Sequence, residues 1–214
     1  EISCSLVGSE MCIRDSYAIK HSEADVCLLC DDDEVFSRNY EEGILTAYRD
    51  LPEADVIIFN IGNRPAHWGD MPKKLGYLDL MHVASWQISF KRESIVNNNV
   101  YFDEHMGAGS GNGAEEEFRF LTDCRKNGLA IYYVPFVIAD VAQTKSTWFK
   151  GYNEEFFINR GNTTRYIMGY VPAVLYAAYY SIRKRHQFDS DISWFKAFRL
   201  IMKGIHENRL GKKK

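Results

Sequence analysis

VCLLCDDDE, residues 26–34, runs five apolar residues directly into four acids. A short unbroken apolar run is the pattern of a strand buried on both faces, as in a parallel sheet. Asp31, Asp32 and Asp33 then stand at the carboxyl end of that strand, the edge at which open parallel sheets bind ligands. Three adjacent carboxylates repel one another and raise each other's pKa unless a cation is present. A hard divalent ion with oxygen ligands relieves that repulsion, and Mg²⁺ or Mn²⁺ commonly bridges carboxylate to phosphate. An EF-hand fits worse, because Val35 and Phe36 occupy positions where that loop needs a glycine and an oxygen ligand. The plainer alternative is an acidic turn that caps the next helix.

Downstream, Ser37 is a candidate helix cap, with Glu41 and Glu42 in the first turns. Tyr40, Ile44, Tyr48 and Leu51 repeat at helical spacing. DVIIFN, residues 55–60, is a second buried strand. Strand, helix and strand in this order imply a right-handed crossover and a parallel sheet. Residues 62–80 carry Pro65, Gly69, Pro72 and Gly76 and read as a long loop. Residues 85–90 alternate, with Trp86, Ile88 and Phe90 on one face and Ser85, Gln87 and Ser89 on the other. That predicts a half-exposed strand. A helix is expected over residues 115–126, ended by Asn127-Gly128, and a strand over 129–134 before Pro135.

A second acidic signal opens that helix. Gly107, Gly109, Gly111 and Gly113 make a flexible loop that leads into Glu115-Glu116-Glu117. A carboxylate at the mouth of such a loop can act as general base toward a hydroxyl. Acids at a helix N-terminus also simply favour the dipole. Beside an upstream aspartate cluster the catalytic reading gains. His105 and Trp86 are lesser candidates, for a phosphate or metal and for stacking on a sugar ring, against a surface histidine and a core tryptophan.

The two ends of the chain differ from its middle. EISCSLVGSEMCIRDS, residues 1–16, has neither a basic n-region nor an apolar h-region and is not a signal peptide. It resembles translated adapter sequence and is set aside, so that the sheet is expected to be incomplete at its N-terminus. From Arg183 to Lys214 there are ten Lys and Arg against three Asp and Glu. Residues 166–182 are uncharged but short and interrupted for a transmembrane helix. Residues 192–210 place Trp194, Phe195, Phe198, Ile201, Met202 and Ile205 against Lys196, Arg199 and Lys203, a basic amphipathic helix. Two readings stand: a tail lying on anionic lipid, or helices packed on the domain.

The composition is that of a folded protein, with 46% hydrophobic and 26% charged residues over 214 positions. The five cysteines do not form a disulfide or zinc framework, since Cys27 and Cys30 point to opposite faces of one strand. No nucleic-acid partner is expected.

LLCDDDEVF, ADVIIFN, the glycine loop, EEEFRFLTDCRKNGLAIYYVP and STWFKGYNEEFF together resemble the family 2 glycosyltransferases of bacterial envelope polysaccharide pathways, over residues 17 to about 161. The resemblance implies an α/β GT-A fold, a mostly parallel sheet flanked by helices. It makes residues 17–161 a partial catalytic domain; residues 162–214 are then a helical, basic extension, for which both readings of the tail stand. It implies that Asp31, Asp32 and Asp33 bind the donor diphosphate, with Asp31 and Asp33 on Mn²⁺ or Mg²⁺. Glu116 and Glu117 match the family's Glu-Asp pair that supplies the base, with Glu in place of Asp at 117. Ser146-Thr147-Trp148 matches a further family feature. The expected activity is inverting transfer of a hexosyl group from a nucleotide sugar, UDP-linked by analogy. The acceptor would be a glycan or lipid-linked sugar. The expected location is the cytoplasm, peripheral on the inner face of the membrane. The alternatives are another metal-dependent nucleotide or phosphate transferase, and a non-catalytic membrane-surface scaffold.

Overall fold

The computed structural model describes residues 2–6, 11–31, 33–64, 68–107, 115–142, 149 and 151–212. They fall into two compact units, one drawn from residues 1–109 and 115–145 and the other from 146–214.

The first unit is a seven-stranded sheet flanked by helices. Its elements are β1 (Ile2–Leu6), α1 (Met11–His21), β2 (Val26–Cys30), β3 (Glu34–Phe36), α2 (Tyr40–Asp50), β4 (Val56–Ile61), β5 (Lys73–Lys74), β6 (Ile88–Lys91), α3 (Arg92–Asn97), α4 (Glu116–Lys126) and β7 (Ile131–Val141). Residues 1–16, set aside on sequence grounds, contribute β1 and the first half of α1. The strand order is β1-β2-β6-β4-β7-β3, with β5 also on β7. The pairs β1–β2 and β4–β7 are parallel. The remaining pairs are antiparallel. The sheet is therefore mixed, which corrects the expectation of a mostly parallel one. The strand–helix–strand unit β2–α2–β4 is present, but β6 lies between its two strands and runs against both.

β6 also shows why alternation misleads here. A 3-10 turn occupies Ser85–Gln87 and the strand starts at Ile88. Ser85, Gln87 and Ser89 are buried, so the strand is not half-exposed. Both faces are covered. Ser89 faces α2, where Tyr48 Oη and Ser89 Oγ are 3.0 Å apart, and Ser89 Oγ donates to the carbonyl of Ile57 at 3.1 Å. Phe90 packs on Phe120 of α4. Gln87 Nε2 donates to the carbonyl of Phe59 at 3.1 Å. Buried polar side chains are tolerated because each finds a partner.

Three further boundaries move. α2 begins at Tyr40 after Asn39, and Ser37 hydrogen-bonds to β7 instead of capping the helix. β7 continues through Pro135, because Phe59 pairs with Val134 and Asn60 with Val137. Pro135 and Phe136 thus sit in a bulge, where a missing N–H costs no ladder bond. The loop over 62–80 contains β5 and the start of a 3-10 turn at Asp79–His82.

The second unit is helical: α5 (Glu154–Met168), α6 (Tyr170–Arg183) and α7 (Trp194–Glu207). The apolar stretch 166–182 is not one helix. Gly169, at φ 87°, ends α5 and starts α6 in a backbone conformation that other residues adopt at a cost. α7 packs its Ala197, Ile201, Gly204 and Ile205 face inward. α5 and α7 approach backbone to backbone: a Cβ on Gly161 would lie 2.1 Å from the carbonyl oxygen of Ile201, and one on Gly204 2.0 Å from that of Ile158. No helix is long and apolar enough to cross a membrane among the described residues.

Candidate functional site at the carboxyl edge of the sheet

β2 delivers Asp31 to the carboxyl edge, and its five buried residues hold that position. The chain then turns back: the backbone N–H of Asp31 donates to Glu34 Oε1 at 2.7 Å, and β3 pairs with the end of β7. Asp33 lies in the turn, where its carbonyl accepts from Ala142 at 2.8 Å. Asp31 and Asp33 are both half-buried. Asp32 lies outside the described residues.

β6 brings a second group to the same edge. Because it runs against β2 and β4, its start lies beside their ends: Ser89 pairs with Leu28, and Ile88 with Ile58. The turn Ser85–Gln87 precedes it there. The backbone N–H of Ser85 lies close enough to the Glu117 carboxylate to favour its charged form, so the N-terminus of α4 faces this edge. Glu115 precedes the helix at φ 74° without a side-chain capping bond.

Of the expected acids, Asp31, Glu116 and Glu117 influence one another electrostatically. Glu117 is pushed well above the usual carboxylate range, first by burial, then by the charges of Glu116 and Asp31. Glu116 is also raised, first by burial, then by Glu115, Asp15 and Asp31. Asp31 therefore lies within electrostatic reach of both glutamates. Glu116 is 7% exposed, and its Oε2 is buried with no hydrogen-bond partner among the described residues. An orphaned buried carboxylate oxygen is costly unless a cation or a donor comes to it.

Among the described residues no three His, Cys, Asp or Glu side chains form a ready metal cage. Mg²⁺-type sites in phosphate enzymes need none, because one or two carboxylates act together with substrate phosphates. Asp31 and Asp33 supply two half-buried carboxylates from one turn.

Trp86 lies in the Ser85–Gln87 turn at this edge. It is half-buried and the Arg64 guanidinium lies 5.1 Å from its ring centroid, which occupies one ring face. His105 is exposed, and its backbone N–H bonds Asp103 Oδ1 at 3.0 Å. Gly109, Gly111, Gly113 and Ser146-Thr147-Trp148 lie outside the described residues. Sequence reasoning missed Asp15, which lies in the segment set aside, and Ser85, which acts through a backbone N–H and leaves no residue-type signal. Gly107, named only as part of the flexible loop, is a point of close approach, where a Cβ would lie 3.0 Å from Cys12 Sγ and 3.4 Å from Glu116 Oε1.

No family model and no curated protein matches the sequence. Solved structures do match in fold. S. aureus TarS 1-349 in complex with UDP aligns with TM-score 0.55 at 14% identity, over 90% of this chain and 59% of that one. The same protein with UDP-GlcNAc gives 0.51 at 13%, over 89% and 50%. Mannosyltransferase PcManGT from Pyrobaculum calidifontis, in complex with GDP-Man and Mn²⁺, gives 0.50 at 13%, over 94% and 67%. The chain thus spans 50% to 59% of the TarS 1-349 chains it aligns with in these complexes. At such identities the shared property is the fold.

Proposed function

We propose that the chain carries the catalytic edge of a metal-dependent, inverting GT-A glycosyltransferase of family 2 that moves a hexosyl group from a nucleotide sugar, UDP-linked, to a glycan or lipid-linked acceptor. The supporting observation is that Asp31, at the end of β2, acts electrostatically on both Glu116 and Glu117 at the start of α4, relating two acidic segments more than 80 positions apart. Structures of similar fold that hold UDP, UDP-GlcNAc or GDP-Man with Mn²⁺ lend weight to the donor class and the metal.

Asp31 and Asp33 would hold Mn²⁺ or Mg²⁺, which when bound neutralises charge on the leaving diphosphate. Asp32 completes the diphosphate-binding segment. Glu117, close to the backbone N–H of Ser85, would take the proton of the acceptor hydroxyl as it attacks the anomeric carbon on the face opposite the leaving group. Its raised proton affinity moves it toward the operating pH, where a general base works best. Glu116 beside it is the alternative base. The basic helical unit would hold the enzyme on the inner face of the membrane, in the cytoplasm where the donor is found.

A transfer assay tests the reading. Incubation with labelled UDP-sugars and Mn²⁺ should give UDP and labelled glycan, and Asp31→Asn should abolish both. No UDP from the UDP-sugar, but pyrophosphate from UTP and a sugar 1-phosphate, would assign the edge to a nucleotidyltransferase.

A further inference from the structure

Resting on the peripheral-membrane part of that reading, we infer that the lipid-facing surface is the outer face of α6, and not the apolar stripe of α7. The apolar stripe of α7 is mostly spent, because Ile201 and Ile205 are buried in the helical core and Phe198 and Met202 pack against it. α6 presents the opposite case. Val171, Leu175, Tyr179 and Ile182 recur at intervals of four, four and three residues, which places them along one side of a helix. They are 51% to 68% exposed. The helix contains no charged residue before Arg183.

The occupant follows from charge. Arg183, Lys184 and Arg185 close α6, and none of the three forms an ion pair among the described residues. The same end of the unit carries the start of α7. Phe188 packs on both Tyr180 and Phe157, and Glu154 at the start of α5 pairs with Lys196 at 2.6 Å. Trp194 and Phe195 are exposed there. Lys196, Arg199 and Lys203 line a groove of about 460 Å³ on α7. Residues 151–212 hold ten Lys and Arg against five Asp and Glu. A second copy of so basic a unit would be repelled, whereas an anionic bilayer is attracted. An apolar stripe ending in cations, with Tyr and Trp nearby, suits a helix lying in the headgroup plane.

Flotation of the full chain on vesicles tests this, using phosphatidylcholine alone and phosphatidylcholine with 30% phosphatidylglycerol. The chain should float with the anionic vesicles at low salt and weaken as salt rises. Leu175→Asp with Tyr179→Asp, at exposed positions, should reduce the partition coefficient by about tenfold or more with the helical circular dichroism unchanged. Trp194→Ser should have a smaller effect. If the wild-type chain ignores anionic vesicles, the membrane reading itself falls. If it floats and the α6 variant floats equally, the membrane reading stands and the assignment to α6 is wrong. A dimer in solution that the α6 variant dissociates would overturn the lipid in favour of a second copy.

Discussion

The two units bury different things. The first places carboxylates at a sheet edge: Glu117 is raised by burial and then by Glu116 and Asp31, Glu116 by burial and then by Glu115, Asp15 and Asp31, and one Glu116 oxygen has no hydrogen-bond partner among the described residues. The second buries mainly packed apolar surface, with most of its buried polar groups hydrogen-bonded and Ser181 Oγ buried without a hydrogen-bond partner among the described residues. Gly161 and Gly204 let α5 and α7 meet at backbone distance. Asn162 is fully buried with both ends of its amide used, toward Ile158 and Arg209. A fold gains nothing from leaving a carboxylate buried beside others, so the first arrangement points to a ligand and the second to stability. The contrast can be broken by substitutions that leave side-chain size nearly unchanged in one unit and enlarge it at the close helix crossing of the other.

The largest effect is expected at Glu117. Glu117→Gln should lower turnover by about a hundredfold or more, as loss of a general base does, while donor affinity is kept. Steady-state kinetics with separate donor titration would check it. Full activity in Glu117→Gln beside an inert Glu116→Gln would move the base by one residue.

Next comes the helical crossing. Gly204→Leu would drive a side chain into the carbonyl of Ile158 and should cost about 3 kcal/mol, at the upper end of overpacking penalties. Urea denaturation followed by tryptophan fluorescence would report it, and wild-type stability would contradict the close approach.

The smallest effect is on pH dependence. A carboxyl group with a raised native pKa binds its proton more tightly folded than unfolded. It therefore favours the fold at low pH, and that advantage is lost as pH rises from the ordinary carboxylate range through the native value. In EDTA, thermal stability should fall over that window, and Glu117→Gln should flatten the fall by removing its largest contributor. An unchanged slope in the variant would show that Glu117 is not the strained group.

The acidic edge was legible because its signals are local. An apolar run followed by acids describes β2 and its end, and three glutamates before a periodic segment describe α4. The sheet was harder to read. β6 alternates like a half-exposed strand, yet its polar members find buried partners in Tyr48, Ile57 and Phe59, which no local pattern announces. Its direction between β2 and β4 is likewise a long-range property. Pro135 read as a strand end because a bulge is invisible without the partner strand. Gly169 passed unnoticed inside an apolar stretch, although its positive φ divides two helices. The apolar face of α7 was visible, but α5 as its partner was not.

The measurement closest to the central claim is calorimetric titration of UDP into the protein, once with Mn²⁺ and once with EDTA. If Asp31 and Asp33 hold a cation that carries the diphosphate, binding should be saturable with Mn²⁺, absent in EDTA, and lost with Mn²⁺ in Asp31→Asn. Equal affinity in the two buffers would contradict the account and return the acidic edge to a structural turn.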